Sequence, residues 1–246
     1  LISMDQQPLL AHLIELRNRL VRIAGVLLVV LLCLVPWAGD VYHLFAKPLM
    51  DVLPQNSSMI ATEVTAPFFV PLKVTMLVAF LITLPHTLYQ IWAFVAPGLY
   101  NHEKKLIVPL IVTSVALFML GMAFAYFAVF PVVFGFMSAH TPEGVAMMTD
   151  IDKYLSFALG MFVAFGVTFE VPVIVLVLNR MGIVSLTQLR EGRSYVIVGA
   201  FVVAAVVTPP DVLSQIMMAI PLWLLYEVGI VMSMLINKEK NHAGPV

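Results

Sequence analysis

Apolar residues along the chain gather into six blocks, roughly 20–39, 68–97, 106–137, 155–178, 195–207 and 212–236, parted by short polar stretches. Runs of this length and purity are what a bilayer selects. In hydrocarbon every backbone N–H and C=O must pair within its own segment, so an open chain crosses only as helices. The pattern therefore predicts an all-α integral membrane protein with six transmembrane helices. No fixed-period repeat, low-complexity tract or soluble stretch interrupts the blocks, which reads as one transmembrane domain over 1–246.

The blocks differ in ways that shape the expected bundle. The fifth, YVIVGAFVVAAVV (195–207), has thirteen residues, which reach only about 20 Å of a core roughly 30 Å thick. TPPD (208–211) follows at once, and its two prolines forbid helix continuation. Glu227 shortens the clean apolar part of the sixth block to about fifteen residues. This short pair is expected to thin the bilayer or hang from longer neighbours. The longer second, third and fourth blocks carry Pro71, Pro85, Pro131 and Pro172, each an expected kink. Long bent helices beside short ones imply a concave, glove-like wall. The stretches of about 40–67 and 138–154 mix apolar and polar residues, which suits short interfacial helices capping the outer face.

Composition agrees with the pattern: 61% of the 246 residues are hydrophobic and 11% are charged. A net charge of −1 is uninformative, but the placement of the cations decides the orientation. With the N-terminus inside, the inner segments hold ten: Arg17, Arg19, Arg22, Lys104, Lys105, Arg180, Arg190, Arg193, Lys238 and Lys240. The outer segments hold three, Lys47, Lys73 and Lys153. Positive-inside bias thus places both termini in the cytoplasm, with a bacterial cytoplasmic (inner) membrane or a descendant organelle as the setting. Cys33 is the single cysteine, so no internal disulfide is expected. About nineteen residues precede the first block and no small-residue cleavage pattern follows it, so that block reads as a retained helix. Because the first residue is Leu1, the natural start is expected to have been trimmed or altered.

Four polar constellations stand out against this background. In HLIELRNRLVR (12–22), Leu9, Leu13, Leu16 and Leu20 recur at helical spacing, predicting an amphipathic helix that leads into the first span. On it Glu15 lies four residues before Arg19; the arginines read as membrane anchors, whereas Glu15 is open between a helical ion pair and a binding role. In YQIWAFVAPGLYNHEKKL (89–106), Trp92, Phe94 and Tyr100 form an interfacial belt and Glu103 is an acid where topology prefers a base. HEKKL lacks the second histidine of a zinc-protease motif, Leu106 standing in its place. Glu170, in GMFVAFGVTFEVPVIVLVLNR (160–180), precedes Asn179 by about 14 Å of helical rise, which sets it near mid-bilayer. An acid there is a functional candidate by default, since hydrocarbon penalises it heavily. Thr208, Asp211, Ser214 and Gln215 cluster where the short pair turns, with Asp211 explicable as a helix cap.

Two other classes of function are disfavoured. A proton-linked solute carrier would want inverted repeats and a relay of acids, and the chain offers one midplane acid. An intramembrane enzyme would need a nucleophile or metal set, and no G-x-S-x-G elbow, zinc motif or aspartate pair is present.

Four ordered motifs, PLLAHLIELRNRL (8–20), YQIWAFVAPGLYNHEKKL (89–106), FGVTFEVPV (165–173) and TPPDVLSQIMMAIPLWLLYE (208–227), resemble the TatC family, the multi-spanning subunit of the twin-arginine protein translocase. The resemblance runs through nearly the whole chain to about residue 236. It implies a receptor for twin-arginine signal peptides that, with TatB and TatA, exports folded proteins on the proton-motive force. By the same resemblance Glu15 and Glu103 receive the paired arginines, and Arg17, Phe94, Leu99 and Tyr100 shape the surface around them. A carboxylate takes a guanidinium through two charge-assisted bonds, a fork that lysine cannot reproduce. Glu170 is implied to meet a partner helix or the inserted signal peptide. Thr208 and Gln215 are implied to belong to a polar patch docking TatB or TatA, and Pro48 and Asp211 to support the fold. Several copies in one complex are expected, with no cofactor, no metal, no catalytic residue and no nucleic-acid partner.

Overall fold

The computed structural model describes residues 6–50, 58–95, 107–139, 148–207 and 212–242, nearly all of them helical. In chain order the elements are α1 (Gln6–Leu34), a 3-10 turn (Val35–Trp37), α2 (Ala38–Met50), β1 (Ser58–Ile60) and α3 (Ala66–Val95). Then follow α4 (Ile107–Phe124), a π-helical turn (Ala125–Val129), α5 (Phe130–Ala139), β2 (Met148–Asp150) and α6 (Ile151–Thr168). The last are α7 (Val171–Arg180), α8 (Leu186–Glu191), α9 (Arg193–Val207) and α10 (Val212–His242). Five helical stretches, 10–44, 66–95, 108–136, 151–180 and 215–236, are long and apolar enough to cross a membrane, and α9 is a shorter apolar helix. These match the six apolar blocks in place, with α9 as short as its sequence demands.

Several local outcomes differ from expectation, each for a physical reason. The amphipathic segment and the first apolar block form one continuous helix, so the helix begins well before the apolar block does. In the third block the backbone takes a π-helical turn over Ala125–Val129, just before Pro131, a usual way of absorbing a register change in a long helix. Pro172 does not kink a continuous helix. The helix ends at Thr168 and restarts at Val171, which puts Pro172 in the first turn of α7, where no N–H is missed. The stretch of 40–67 begins in a helix, α2, and further on it contributes a strand that the sequence did not suggest. Ser58–Ile60 and Met148–Asp150 pair as a two-stranded parallel sheet, Ser58 opposite Met148 and Ile60 opposite Asp150. Beside it the backbone N–H and the hydroxyl of Thr62 both donate to the Asp150 carboxylate, which also caps α6 by accepting from the Lys153 N–H at 2.9 Å. Those bonds favour the ionised acid and hold the Asp150 pKa down at about 2.

The chain divides into two compact units, residues 1–46 with 67–115, and residues 47–66 with 116–246. In the first unit, Leu84, Leu88 and Trp92 of α3 are buried, and the Trp92 indole N–H donates to the hydroxyl of Ser114 on α4 at 3.2 Å. In the second, an aromatic core runs between α5 and α6, Phe130 meeting Phe162 at 5.2 Å and Phe134 meeting Tyr154 at 5.1 Å between ring centroids. At Gly121 the backbones of α4 and α6 come so close that a Cβ would lie 2.5 Å from the carbonyl oxygen of Phe165. α10 packs on α7, α8 and α9, with Tyr226 and Ile230 meeting Val175, Leu189 and Val196 in one cluster and the Tyr226 hydroxyl donating to the Leu189 carbonyl at 2.7 Å. α8 is started by a reciprocal cap, Ser185 accepting from the Gln188 N–H and Gln188 accepting from the Ser185 N–H.

Candidate functional site

The most developed polar constellation lies in the first unit, where one face of α1 meets the C-terminal end of α3. Residues three and four apart on a helix share a face, so His12, Glu15 and Arg19 line up. Arg19 is the hub. Its Nε and Nη2 donate to Oε1 of Glu15 at 3.0 and 2.7 Å. Two of its three other N–H groups reach across to α3, Nη1 to Oε1 of Gln90 and Nη2 to the carbonyl of Ala93, both at 3.2 Å. One turn earlier, the His12 ring stacks on Phe94 with centroids 4.2 Å apart and planes 20° from parallel.

Burial grades across this cluster. Gln90 is buried, the Arg19 side chain is 19% exposed and that of Glu15 is 38% exposed. Both guanidinium bonds land on the same oxygen of Glu15. Its Oε2 takes no hydrogen bond from the described residues, and the side chain is partly exposed. The helical-pair reading of Glu15 is thus realised, and an acceptor for a second donor is left over.

The other sequence-derived candidates sort as follows. Phe94 joins the cluster through His12. Arg17 does not: it is exposed and bonds its neighbour Asn18 at 3.1 Å. Leu99, Tyr100, Glu103, Thr208 and Asp211 lie outside the described residues, as does the side chain of Pro48 on α2. Gln215 is half-buried on α10. Glu170 is buried, 7% exposed, at the break between α6 and α7. Glu227 forms an ion pair with Arg193 at 2.7 Å, which accounts for its place in an apolar helix. Gln90 and the Ala93 carbonyl were missed from sequence. Gln90 could have been singled out as the one polar side chain between Tyr89 and Val95, but a backbone carbonyl carries no signal in a sequence. Among the described residues no group of three or more His, Cys, Asp or Glu could hold a metal ion.

The chain has relatives among known proteins. Residues 11–221 match the family model of the Sec-independent protein translocase protein TatC. The chain belongs to the TatC family. It is 55% identical over 229 residues to the Sec-independent protein translocase protein TatC of Escherichia coli K12, an alignment covering 93% of this chain and 89% of that one. To the TatC of Aquifex aeolicus it is 39% identical over 235 residues, covering 95% and 97%. A crystal structure of the twin arginine translocase receptor TatC superposes with a TM-score of 0.80 at 39% identity, covering 91% of this chain and 98% of that one. This TatC chain is a membrane protein of a protein translocase, and the family is one of transport subunits, not enzymes.

Proposed function

We infer that this chain is the receptor that grips the paired arginines of a twin-arginine signal peptide, and that Glu15 is one of the two carboxylates that do so. One observation carries the reading: Glu15 sits partly exposed one turn from the His12–Phe94 stack, and its pair with Arg19 uses only one of its two oxygens. An uncommitted carboxylate oxygen backed by a fixed scaffold suits a guanidinium, which brings a planar fork of donors. Glu103 supplies the second acid for the second arginine. Leu99 and Tyr100 border the same surface, whereas Arg17 lies on another face of α1, bonded to Asn18.

The remaining parts of the reading follow from the family and the charge pattern. Six spans with both termini in the cytoplasm put the N-terminal half of α1 and the C-terminal end of α3 on the side where precursors arrive. The membrane is the bacterial inner membrane. TatB and TatA dock beside Thr208 and Gln215, several copies assemble, and export of folded cargo draws on the proton-motive force. Glu170, buried where two helical segments meet, faces a partner helix or the deeply inserted peptide. Pro48 and Asp211 support the fold.

Photocrosslinking from positions 15, 103 and 170 to a twin-arginine precursor tests this, with and without the partner subunits. Crosslinks from 15 and 103 are expected without partners, and from 170 only when they are present. Replacing Glu15 or Glu103 by Ala should weaken capture of a diarginine peptide at least tenfold and of a dilysine peptide much less. Equal loss for both peptides refutes the carboxylate assignment.

A further inference from the structure

Arg19 presents to Glu15 the same chemical group that an incoming signal peptide would bring. We propose that Arg19 is a resident competitor: it occupies Glu15 in the empty receptor, and a leader arginine takes the carboxylate only by displacing it onto α3. This rests on the assignment of Glu15 as a leader-binding carboxylate.

The hydrogen bonds define both ends of the exchange. In the resting arrangement Nε and Nη2 of Arg19 satisfy Oε1 of Glu15. Gln90 Oε1 and the Ala93 carbonyl already hold Nη1 and Nη2 from the other side. A displaced Arg19 therefore keeps two acceptors and is not stranded, which removes the usual penalty of unpairing a partly buried cation. The leader arginine approaches through Oε2, the oxygen left open, and takes over the fork as Arg19 withdraws.

Competition of this kind lowers the affinity of every cationic leader by one common factor. It leaves the ratio between arginine and lysine to the carboxylate itself, and it pushes weak binders below the threshold of capture. A lysine, a strongly hydrated point charge, already pairs less well with the carboxylate. With the resident guanidinium in place, stray basic segments on the crowded cytoplasmic face stay unbound.

A positioning role would make a different forecast. If Arg19 merely held Glu15 in place, removing Arg19 or its anchor on α3 would weaken binding alike. For a competitor the two changes act in opposite directions. Arg19→Gln frees Glu15 and tightens binding. Gln90→Leu removes the refuge on α3, so Arg19 clings to Glu15 and binding weakens.

The test measures anisotropy of a fluorescent diarginine leader peptide, and of its dilysine counterpart, on membrane vesicles containing the full chain. Arg19→Gln is expected to tighten both peptides by a similar factor, about fivefold, the worth of one partly exposed ion pair. Arg19→Lys should give a smaller gain, and Gln90→Leu a loss. In a Glu15→Gln background Arg19→Gln should change nothing. Unchanged or weakened diarginine binding in Arg19→Gln, with thermal unfolding like that of the unaltered chain, overturns the competitor role. So does a gain that persists without Glu15. Should Glu15→Gln alone leave diarginine binding intact, it is the carboxylate assignment that fails. Melting curves for each variant separate lost binding from lost fold.

Discussion

Gly121→Ala should destabilise the second unit by about 2 kcal/mol, because no side chain can move aside to make room. The added Cβ would lie 2.5 Å from the Phe165 carbonyl oxygen, 2.9 Å from its carbon and 3.0 Å from the Gly166 Cα, all of them backbone. Ordinary contact begins near 3.4 Å, so α4 and α6 must part by about 1 Å along this seam. A gap of that size forfeits roughly a quarter to a half of each dispersion well, and a buried side chain makes on the order of 50 such contacts at about 0.15 kcal/mol each. Phe118 and Phe165, both buried in the seam, supply those contacts. Losing a quarter of one such set gives about 2 kcal/mol, within the range of about 1–3 for overpacking. In lipid this loss is not masked by a hydrophobic drive, since packing is what holds the helices together. Gly166→Ala provides the contrast, because the three atoms nearest its Cβ all belong to the ring tip of Phe118. Phe118→Leu removes that tip, so it should rescue Gly166→Ala in a double-mutant cycle and leave Gly121→Ala unrelieved. The assay is unfolding in detergent micelles followed by tryptophan fluorescence. An unfolding midpoint for Gly121→Ala equal to that of the unaltered chain, or rescue of it by Phe118→Leu, refutes the backbone-contact argument.

Two further outcomes can be read in the same assay. Arg193→Glu or Glu227→Arg should each lower the unfolding midpoint, and the double swap should restore most of it, with a coupling of about 0.5–1 kcal/mol for this partly exposed pair; no coupling means that the two side chains do not hold α9 to α10. Asp150→Ala should lose the β1–β2 tie and the cap of α6 together. Because the native state holds Asp150 below its ordinary 3.8, the benefit is full above that value and is lost as pH falls through about 2. A stability gap to Asp150→Ala that stays as wide at pH 2 as at pH 7 counts against that account.

What the sequence revealed and what it hid divide along local and long-range lines. Span positions, the short α9 and the continuity of residues 12–22 as a helix follow from periodicity and apolar length, which are properties of one segment. The Glu15–Arg19 pair is local too, being fixed by four-residue spacing. Gln90 and the Ala93 carbonyl stand 71 and 74 residues from Arg19, and no spacing rule reaches that far. The parallel pairing of 58–60 with 148–150 escaped for the same reason, since three residues carry no alternation to detect. Pro172 misled by type: a proline inside an apolar block suggests a kink, yet here it begins a helix, and only the chain's turn at Phe169 and Glu170 distinguishes the two.

Under the proposed orientation and leader-binding role, the arginines beside the first span create a difficulty that the contacts of Arg19 would offset. Topology wants cations beside the first span, and Arg17, Arg19 and Arg22 supply them. A surface so charged repels a leader whose signature is two more arginines. Folding Arg19 onto Glu15, Gln90 and Ala93 uses four of its five N–H donors inside the protein and offsets one cation with one acid. Arg17 stays on the exposed face, bonded to Asn18, where it anchors the helix without approaching the Glu15 carboxylate in the described structure. Orientation and recognition can then share a single helix of 29 residues, one face serving each. If that division holds, moving the carboxylate from position 15 to 13, about 200° around the helix, keeps net charge near the membrane yet takes the acid off the face where Arg19 meets α3. The Glu15→Leu, Leu13→Glu chain should insert normally, as reported by cysteine labelling at both sides of the membrane. It should fail to bind the diarginine leader, and binding at the level of the unaltered chain would mean that charge alone, and not its place on the helix, attracts the leader.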